Sequence, residues 1–140
     1  MDKLQFSLVS PAQEVFSGQV DHVIAPGTDG EFGVLPHHAP FMSTLKNGVV
    51  RVLEGETVAM RIFVRGGFAD VTAEGLTILA EEAVDLSKVD ANEIGERLDT
   101  ARNTALSEPD NVIVAERVAY LEALQGALAH EPVRAALLQG

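Results

Sequence analysis

Apolar and polar residues alternate with a period of two in residues 4–8, and the alternation recurs in residues 20–24 and 58–64. This period is the spacing of half-buried β-strands. Turn-forming residues separate the runs at short intervals, which is typical of a sandwich or barrel. The turn signals are Pro11, Ser17-Gly18, Pro26-Gly27, Asp29-Gly30, Asn47-Gly48, Glu54-Gly55, Gly66-Gly67 and Glu74-Gly75. The pattern therefore predicts an all-β module.

Two of these signals carry more specific predictions. Asn47-Gly48 lies between the apolar runs 42–45 and 49–53, and both residue types tolerate the positive φ of a type I′ turn. We therefore predict a β-hairpin there. Gly66-Gly67 predicts a bulge or a close backbone approach inside the sandwich.

After Asp85 the apolar period becomes helical. One stripe predicts a first helix, in which Ser87 and Asp90 act as N-terminal caps. Residues 107–111 break this helix and cap a second one, which we expect Pro132 to end. The two stripes are Ile94, Leu98, Ala101 and Ala105, then Val114, Val118, Leu121, Leu124 and Leu128.

The change of period divides the chain into a β-module, residues 1–85, and an antiparallel helical hairpin, residues 86–140. The fold class is β plus α. Neither stripe buries much surface alone, so we expect the hairpin to pack on itself and on one face of the sandwich, or on a partner. The hairpin should be the less stable part.

Composition narrows the functional classes. The chain has 46% hydrophobic and 22% charged residues, as in soluble globular proteins, and no cysteine. Its net charge of −11 disfavours nucleic acid and anionic lipid as partners. No apolar run approaches the roughly 20 residues of a spanning helix, and the first residues predict neither a signal nor a transit peptide. A bacterial cytoplasmic location is the simplest expectation.

Catalytic chemistry finds little support. No serine lies in a nucleophile elbow, and no Walker motif is present. His22, His37, His38 and Glu31 could instead hold a metal in a small β-barrel. Adjacent histidines on an extended segment point to opposite faces, however, and no third ligand stands at a recognisable spacing. We expect no catalytic residues, no metal and no cofactor.

The segment from Asp29 to Phe41, DGEFGVLPHHAPF, resembles the signature loop of the epsilon subunit family of bacterial F-type ATP synthases. Segments 8–11, 15–18, 63–71 and 76–80 resemble other landmarks of that family, in the family's order. The resemblance covers residues 4–106, and the second helix matches in kind more than in residues.

The resemblance implies a ten-stranded β-sandwich followed by a two-helix hairpin, without an active site. It implies a central-stalk rotor component beside the gamma subunit and on the membrane ring of c subunits. The expected location is peripheral, on the cytoplasmic face of the bacterial inner membrane. The hairpin of this family can be compact, or it can extend toward the alpha and beta subunits and restrain ATP hydrolysis.

Glu31 and His38 match family positions that contact the polar loops of the ring, and we include His37 and Pro40 in this expected interface. His37 stands where the family often has glycine, so we expect an altered local φ. From the residues alone, the alternative is that Glu31 is solvated and His38 caps a neighbouring carbonyl.

Some members of the family bind ATP through a motif at the start of the first helix. Here Glu93 occupies the arginine position of that motif and would repel phosphate. A similar run at Leu98 to Asn103 lies nine residues too late, and we interpret Asp99 and Arg102 as a solvated surface pair. We therefore expect weak or no ATP binding.

The charge of the hairpin bears on inhibition. Residues 85–140 hold five Lys or Arg and ten Asp or Glu, a net charge of −5. An acidic hairpin meets the acidic beta-subunit segment expected from the family unfavourably, so we expect weak inhibition. Two rival hypotheses stay open at this point: a metal-binding β-barrel, and a freestanding module whose helix pair captures a partner helix.

Overall fold

The computed structural model describes the backbone of residues 2–139 and the side chains of residues 2–129. Ten strands precede two helices, which confirms the predicted fold class. The strands are β1 (Leu4–Val9), β2 (Glu14–Val20), β3 (His22–Gly27), β4 (Gly30–Val34), β5 (Phe41–Thr44), β6 (Gly48–Glu54), β7 (Thr57–Arg65), β8 (Phe68–Thr72), β9 (Gly75–Leu79) and β10 (Glu82–Asp85). A 3-10 helix at Leu86–Lys88 leads into helices α1 (Ala91–Ser107) and α2 (Val112–Gln139).

The strands form two five-stranded sheets that pack face to face. Sheet I has the order β2-β1-β9-β8-β5, and sheet II has the order β10-β7-β6-β3-β4. Neighbouring strands are antiparallel except β1 and β9, which run parallel with Phe6 beside Leu76. This parallel pair joins the first strand to the ninth and so ties together residues far apart in sequence.

The inward positions of both sheets form one core, as the alternation predicts. Phe6, Leu8 and Ile62 are among its largest fully buried side chains. The buried members are Leu4, Phe6, Leu8, Val20, Val23, Ala25, Val34, Leu45, Val50, Val52, Ile62, Val64, Ala69, Val71, Leu76, Ile78 and Ala80. This core is contiguous and depends on no residue of the helices.

The predicted hairpin at Asn47-Gly48 is wrong. β5 pairs with β8 in sheet I, whereas β6 pairs with β7 and β3 in sheet II. Asn47 Oδ1 instead accepts a hydrogen bond from Gly66 N at 2.9 Å. A Cβ at Gly48 would lie 2.9 Å from Pro26 Cβ. The pair therefore serves a crossing between the sheets, where a side-chain acceptor and a small residue are both needed.

The tight strand connections occur at three other turn signals. Gly27 pairs with Gly30, Glu54 with Thr57, and Thr72 with Gly75, each across two intervening residues. Gly55 and Gly75 have φ values of 63° and 140°, which suit glycine. The glycines in these turns therefore give the chain its hairpins.

The helix caps follow the sequence closely. Asp90 accepts hydrogen bonds from the amides of Asn92 and Glu93 and so caps α1, as predicted. The prediction that Ser87 is a cap is wrong, because Ser87 lies inside the 3-10 helix, whose N-cap is Asp85. Asn111 Oδ1 accepts from the amides at the start of α2. The prediction that Pro132 ends the second helix is wrong, because α2 continues to Gln139. A proline removes one helical hydrogen bond, and the alanines and leucines after it favour continuation.

The hairpin packs on the outer face of sheet II, one of the two places that the stripes allow. Apolar residues of both helices surround Phe63, whose ring contacts Tyr120 edge to face at a centroid distance of 5.6 Å. The resulting hairpin cluster is Phe63, Leu86, Ile94, Leu98, Ala101, Leu121 and Leu124. Between the helices, Arg102 donates to Glu122 at 3.0 Å, so the predicted surface pair of Arg102 with Asp99 is replaced by a contact across the hairpin.

An exposed ion cluster fixes the start of β1. Lys3 Nζ lies 2.7 Å from Asp21 Oδ1 and 3.3 Å from Glu54 Oε2, and Gly55 N donates to Asp21 at 2.6 Å. The hydrogen bond from Lys3, followed by that from Gly55, lowers the pKa of Asp21 below its ordinary 3.8. The hydrogen bond to Asp21 likewise raises the pKa of Lys3 above 10.5.

Asp21→Asn is therefore expected to lower stability at neutral pH. A carboxylate whose folded pKa is depressed stabilises the fold above its unfolded pKa, and this contribution disappears as pH falls through the folded pKa. The difference between wild type and variant should therefore shrink as pH falls below 3.8 and through the lowered pKa of Asp21. Urea unfolding at neutral and acidic pH measures it. The control for removing one negative charge is Glu56→Gln, which changes an exposed carboxylate next to Gly55. A loss that persists unchanged in acid would contradict this prediction.

Candidate functional site

The segment 35–40 connects β4 to β5 and so joins the edge of sheet II to the edge of sheet I. His38 N donates to Leu35 O at 3.2 Å, which closes a turn. His37 inside that turn has a φ of 67°, in the left-handed region that favours glycine. The histidine thus adopts the backbone conformation that glycine takes most readily.

The two histidines of the loop have different neighbours. His37 Nε2 donates to Asp2 Oδ2 at 2.7 Å, and both groups are exposed. His38 Nδ1 donates to the carbonyl oxygen of Ala39 at 2.7 Å, as the alternative interpretation of this residue proposed. Its ring lies 6.1 Å from that of Phe41, between centroids. His38 is thereby packed at the loop, while His37 ties the loop to the N-terminal segment.

Glu31 is not simply solvated. It lies on the edge strand β4, and its two carboxylate oxygens accept hydrogen bonds from one nitrogen of Arg51 at 2.9 and 3.0 Å. The side chain of Arg51 is 7% exposed and that of Glu31 is 49% exposed. The carboxylate is therefore anchored from the buried side and reaches solvent from the other.

The predicted residues share one edge of the sandwich. Phe32, next to Glu31, contacts Phe41 edge to face at a centroid distance of 5.2 Å, and Phe41 follows the exposed Pro40. Contacts between aromatic rings thus connect the Glu31 strand to the loop that carries His38. His37 points away from this aromatic cluster toward Asp2.

Sequence reasoning missed the exposed apolar side chains beside this loop. Met42 is 65% exposed, and Phe68 and Leu79 face each other across β8 and β9. Their register places them on the outer face of sheet I, and we name Met42, Phe68 and Leu79 the apolar face. The available signal was the alternation itself, because Phe68 and Leu79 directly adjoin the buried Ala69 and Ile78 in sequence and therefore face the opposite side of the sheet.

The metal hypothesis gains no geometric support in the described part of the chain, where no group of three or more His, Cys, Asp or Glu side chains could hold an ion. His22 lies over Gly33, where a Cβ would come within 2.7 Å of His22 Nε2. His22 is therefore occupied in packing on β4.

The helical hairpin forms an open cavity of about 630 Å³ against the edge of sheet II. Its charged lining balances three guanidinium groups against three carboxylates: Arg65, Arg97, Arg117, Glu82, Glu96 and Glu116.

Glu93 lies exposed in the first turn of α1, and the nearby Asp90 is the N-cap of that helix. The low affinity expected for ATP stays a prediction. Among the described residues, no helix is long and apolar enough to cross a membrane.

Fold and loop together define the class of delta/epsilon β-sandwich proteins of ATP synthases: residues 3–86 match the family described as "ATP synthase, Delta/Epsilon chain, beta-sandwich domain". Full-length relatives sharpen the assignment. An ATP synthase epsilon chain of Hyphomonas neptunium is 61% identical over 133 residues, which cover 92% of this chain and 98% of the relative. One of Maricaulis maris is 46% identical, with the same coverage. The chain belongs to the ATP synthase epsilon chain family.

Two further similarities concern architecture and length. A chain in the Euglena gracilis mitochondrial ATP synthase, solved with OSCP, F1 and the c-ring, has a TM-score of 0.66 and 25% identity; the match covers 96% of this chain and 81% of that one. An ATP synthase epsilon chain of Caulobacter vibrioides is 60% identical over only 86 residues, which are 61% of this chain but 98% of the relative. That relative has about the size of the sandwich alone.

Proposed function

We propose that this chain is a non-catalytic rotor subunit in the central stalk of an F-type, proton-translocating ATP synthase, where it couples the membrane ring to the catalytic head. Its partners in this proposal are the gamma subunit and the c subunits of the ring. The alpha and beta subunits join them when the hairpin extends. The chain then lies peripherally at the cytoplasmic face of the bacterial inner membrane.

The observation that carries this proposal is that the two outer faces of the sandwich differ in how far they are covered. The hairpin covers part of sheet II, whereas sheet I exposes the apolar face of Met42, Phe68 and Leu79. An exposed apolar patch on a rigid sheet favours a protein interface. We assign the gamma subunit to this face, and the ring to the adjoining edge with Glu31, His37, His38 and Pro40.

A rotor component needs stiffness more than chemistry. Two sheets sharing one contiguous core, with β1 and β9 paired in parallel, resist shear between the segments that bind different partners. The origin of the Euglena structure, an assembly with F1 and the c-ring, supports this role. Torque can thus pass through the sandwich without a catalytic group in the chain.

The hairpin acts as the modulating element in this proposal. Its compact position buries Phe63 under both helices, so extension must expose that ring and the facing leucines. This cost favours the compact form, and the net charge of −5 in residues 85–140 weakens contact with acidic partners. We therefore expect little inhibition of ATP hydrolysis by the hairpin.

Affinity capture of the tagged full chain from gently solubilised membranes tests the proposal. Recovery of alpha, beta and gamma subunits with ATPase activity is expected. Because a charge in the apolar face opposes burial, Met42→Asp should reduce that recovery by about tenfold. Leu106→Asp, at a leucine 82% exposed on the hairpin, is the matched control and should leave it unchanged. Recovery of the chain alone, or with a bound metal, would overturn the assignment.

A further inference from the structure

Arg51 is an unusual residue for an outward-facing strand position. Among the described residues it is the one charged side chain that is buried, with 6% of the residue exposed. A guanidinium removed from water destabilises a fold unless it is paired and hydrogen-bonded. Its position on β6, between two core valines, therefore requires a partner that reaches it.

That partner comes from two strands away. Arg51 stands opposite Ile24 of β3, while Glu31 stands on β4 opposite Pro26 of the same strand. The pair thus bridges the outer surface of β3, across a distance of about 10 Å between the backbones of β4 and β6. On the other side, Arg61 is directly opposite Arg51, and like charges in that arrangement repel. Both features favour a guanidinium directed toward the edge strand.

The geometry has two consequences for Glu31. Both carboxylate oxygens share one nitrogen of Arg51, so rotation of the side chain would break both contacts at once. The charge of the carboxylate is also compensated from the buried side, while half of the side chain still meets solvent. The oxygens keep further lone pairs that can accept hydrogen bonds.

We infer that Arg51 is a positioning residue, which presents Glu31 to the ring as a fixed, charge-compensated hydrogen-bond acceptor. The inference rests on the proposed function, in which Glu31 belongs to the ring interface. The group of the ring that fits this acceptor is a hydrogen-bond donor in a polar loop, such as an amide or a hydroxyl. Long-range attraction of a cation is not the principal contribution, since Arg51 already neutralises the carboxylate.

A double-mutant cycle tests the coupling. The full chain, in complex with its gamma subunit, is bound to immobilised detergent-purified c-ring, and the affinities of Arg51→Met, Glu31→Ala and the double variant are compared. Each single variant should lose about tenfold in affinity. The affinity of the double variant should lie within about twofold of that of the weaker-binding single variant, because both changes remove the same interaction. Lys3→Met, which removes another cation with two carboxylate partners, should leave affinity unchanged.

Salt dependence distinguishes a positioned acceptor from a bare anion or a merely structural role. The affinity ratio of wild type to Glu31→Ala should stay constant within about twofold as ionic strength rises, because a compensated carboxylate is little affected by screening. Arg51→Lys keeps the charge but not the planar group and should retain affinity within about threefold. If Arg51→Met does not fold, Arg51→Gln replaces it, with the same expected loss.

The outcomes separate this inference from the proposed function. If Glu31→Ala leaves ring affinity unchanged, both the ring contact of Glu31 and the role of Arg51 are overturned. If Glu31→Ala weakens binding but a folded Arg51 variant binds as wild type, the inference about Arg51 fails alone. Multiplicative losses in the double variant would likewise show that the two residues act independently.

Discussion

Phe63→Ala is expected to release α1 and α2 from the sandwich while the ten strands stay folded. Phe63 is 1% exposed and lies at the centre of the hairpin cluster, under Leu98 and Leu121 of both helices. Truncating a buried phenylalanine costs about 3–5 kcal/mol. The other sheet II side chains in this cluster, Val49 and Val84, are smaller and only partly buried. Hydrogen exchange should therefore show lost protection in residues 91–129 and retained protection in β1 and β9.

Phe68→Ala is the matched control, since it removes the same ring from the partly exposed apolar face of sheet I. It should leave the exchange of both helices unchanged. Equal loss of protection in helices and strands after Phe63→Ala would contradict the prediction, because it would mean that hairpin and sandwich unfold as one unit. Unaltered helix protection would show that the helices hold together without the sheet.

The separation of the two clusters agrees with the lengths of the relatives. The sandwich core includes no helix residue, and the hairpin cluster takes Phe63 and Leu86 from outside the helices. The Caulobacter vibrioides chain, at about the size of the sandwich, carries the same family name. The sandwich and the hairpin thus have separate buried clusters, so the rotor coupling that we propose for the sandwich does not require the hairpin.

Local sequence was sufficient for the elements whose determinants are local. The alternation at Leu4, Phe6 and Leu8 gave the face of β1, and the stripes gave the buried faces of both helices. Asp90 was predictable as a cap because its acceptor serves amides two and three residues away. In each case the determining residues lie within one turn, one strand or one helix, so the local sequence pattern is enough to predict the element.

Contacts between residues that are far apart in sequence could not be predicted from such local patterns. Asn47-Gly48 has the local signal of a hairpin, but the sheet that each flanking strand joins depends on β3 and β8. The ion pair of Arg51 with Glu31 crosses a whole strand, and in the sequence Arg51 is simply the one polar residue in the apolar run 49–53. The positioning of the proposed ring contact was therefore visible only in the structure.

Gly67→Ala is expected to cause a large loss of stability, of at least about 3 kcal/mol. Gly67 has a φ of 108°, and a Cβ there would lie 2.0 Å from the carbonyl oxygen of Leu79 and 2.8 Å from Ala80 Cα. Both contacts are with backbone, so no side chain can rotate away to relieve them. The close backbone approach predicted from Gly66-Gly67 is thereby located at the second glycine, and urea unfolding of the sandwich measures its cost.

Gly55→Ala separates the steric contribution from the conformational one. Gly55 also has a positive φ, 63°, but no atom lies within 4 Å of a Cβ placed there. Its substitution should cost only about 1–2 kcal/mol, the penalty of the left-handed region for alanine. Similar losses at both positions would contradict the steric argument and leave backbone conformation as the whole effect. A markedly larger loss at Gly67 places the constraint in the contact with β9, the strand that joins β8 to β1 in sheet I.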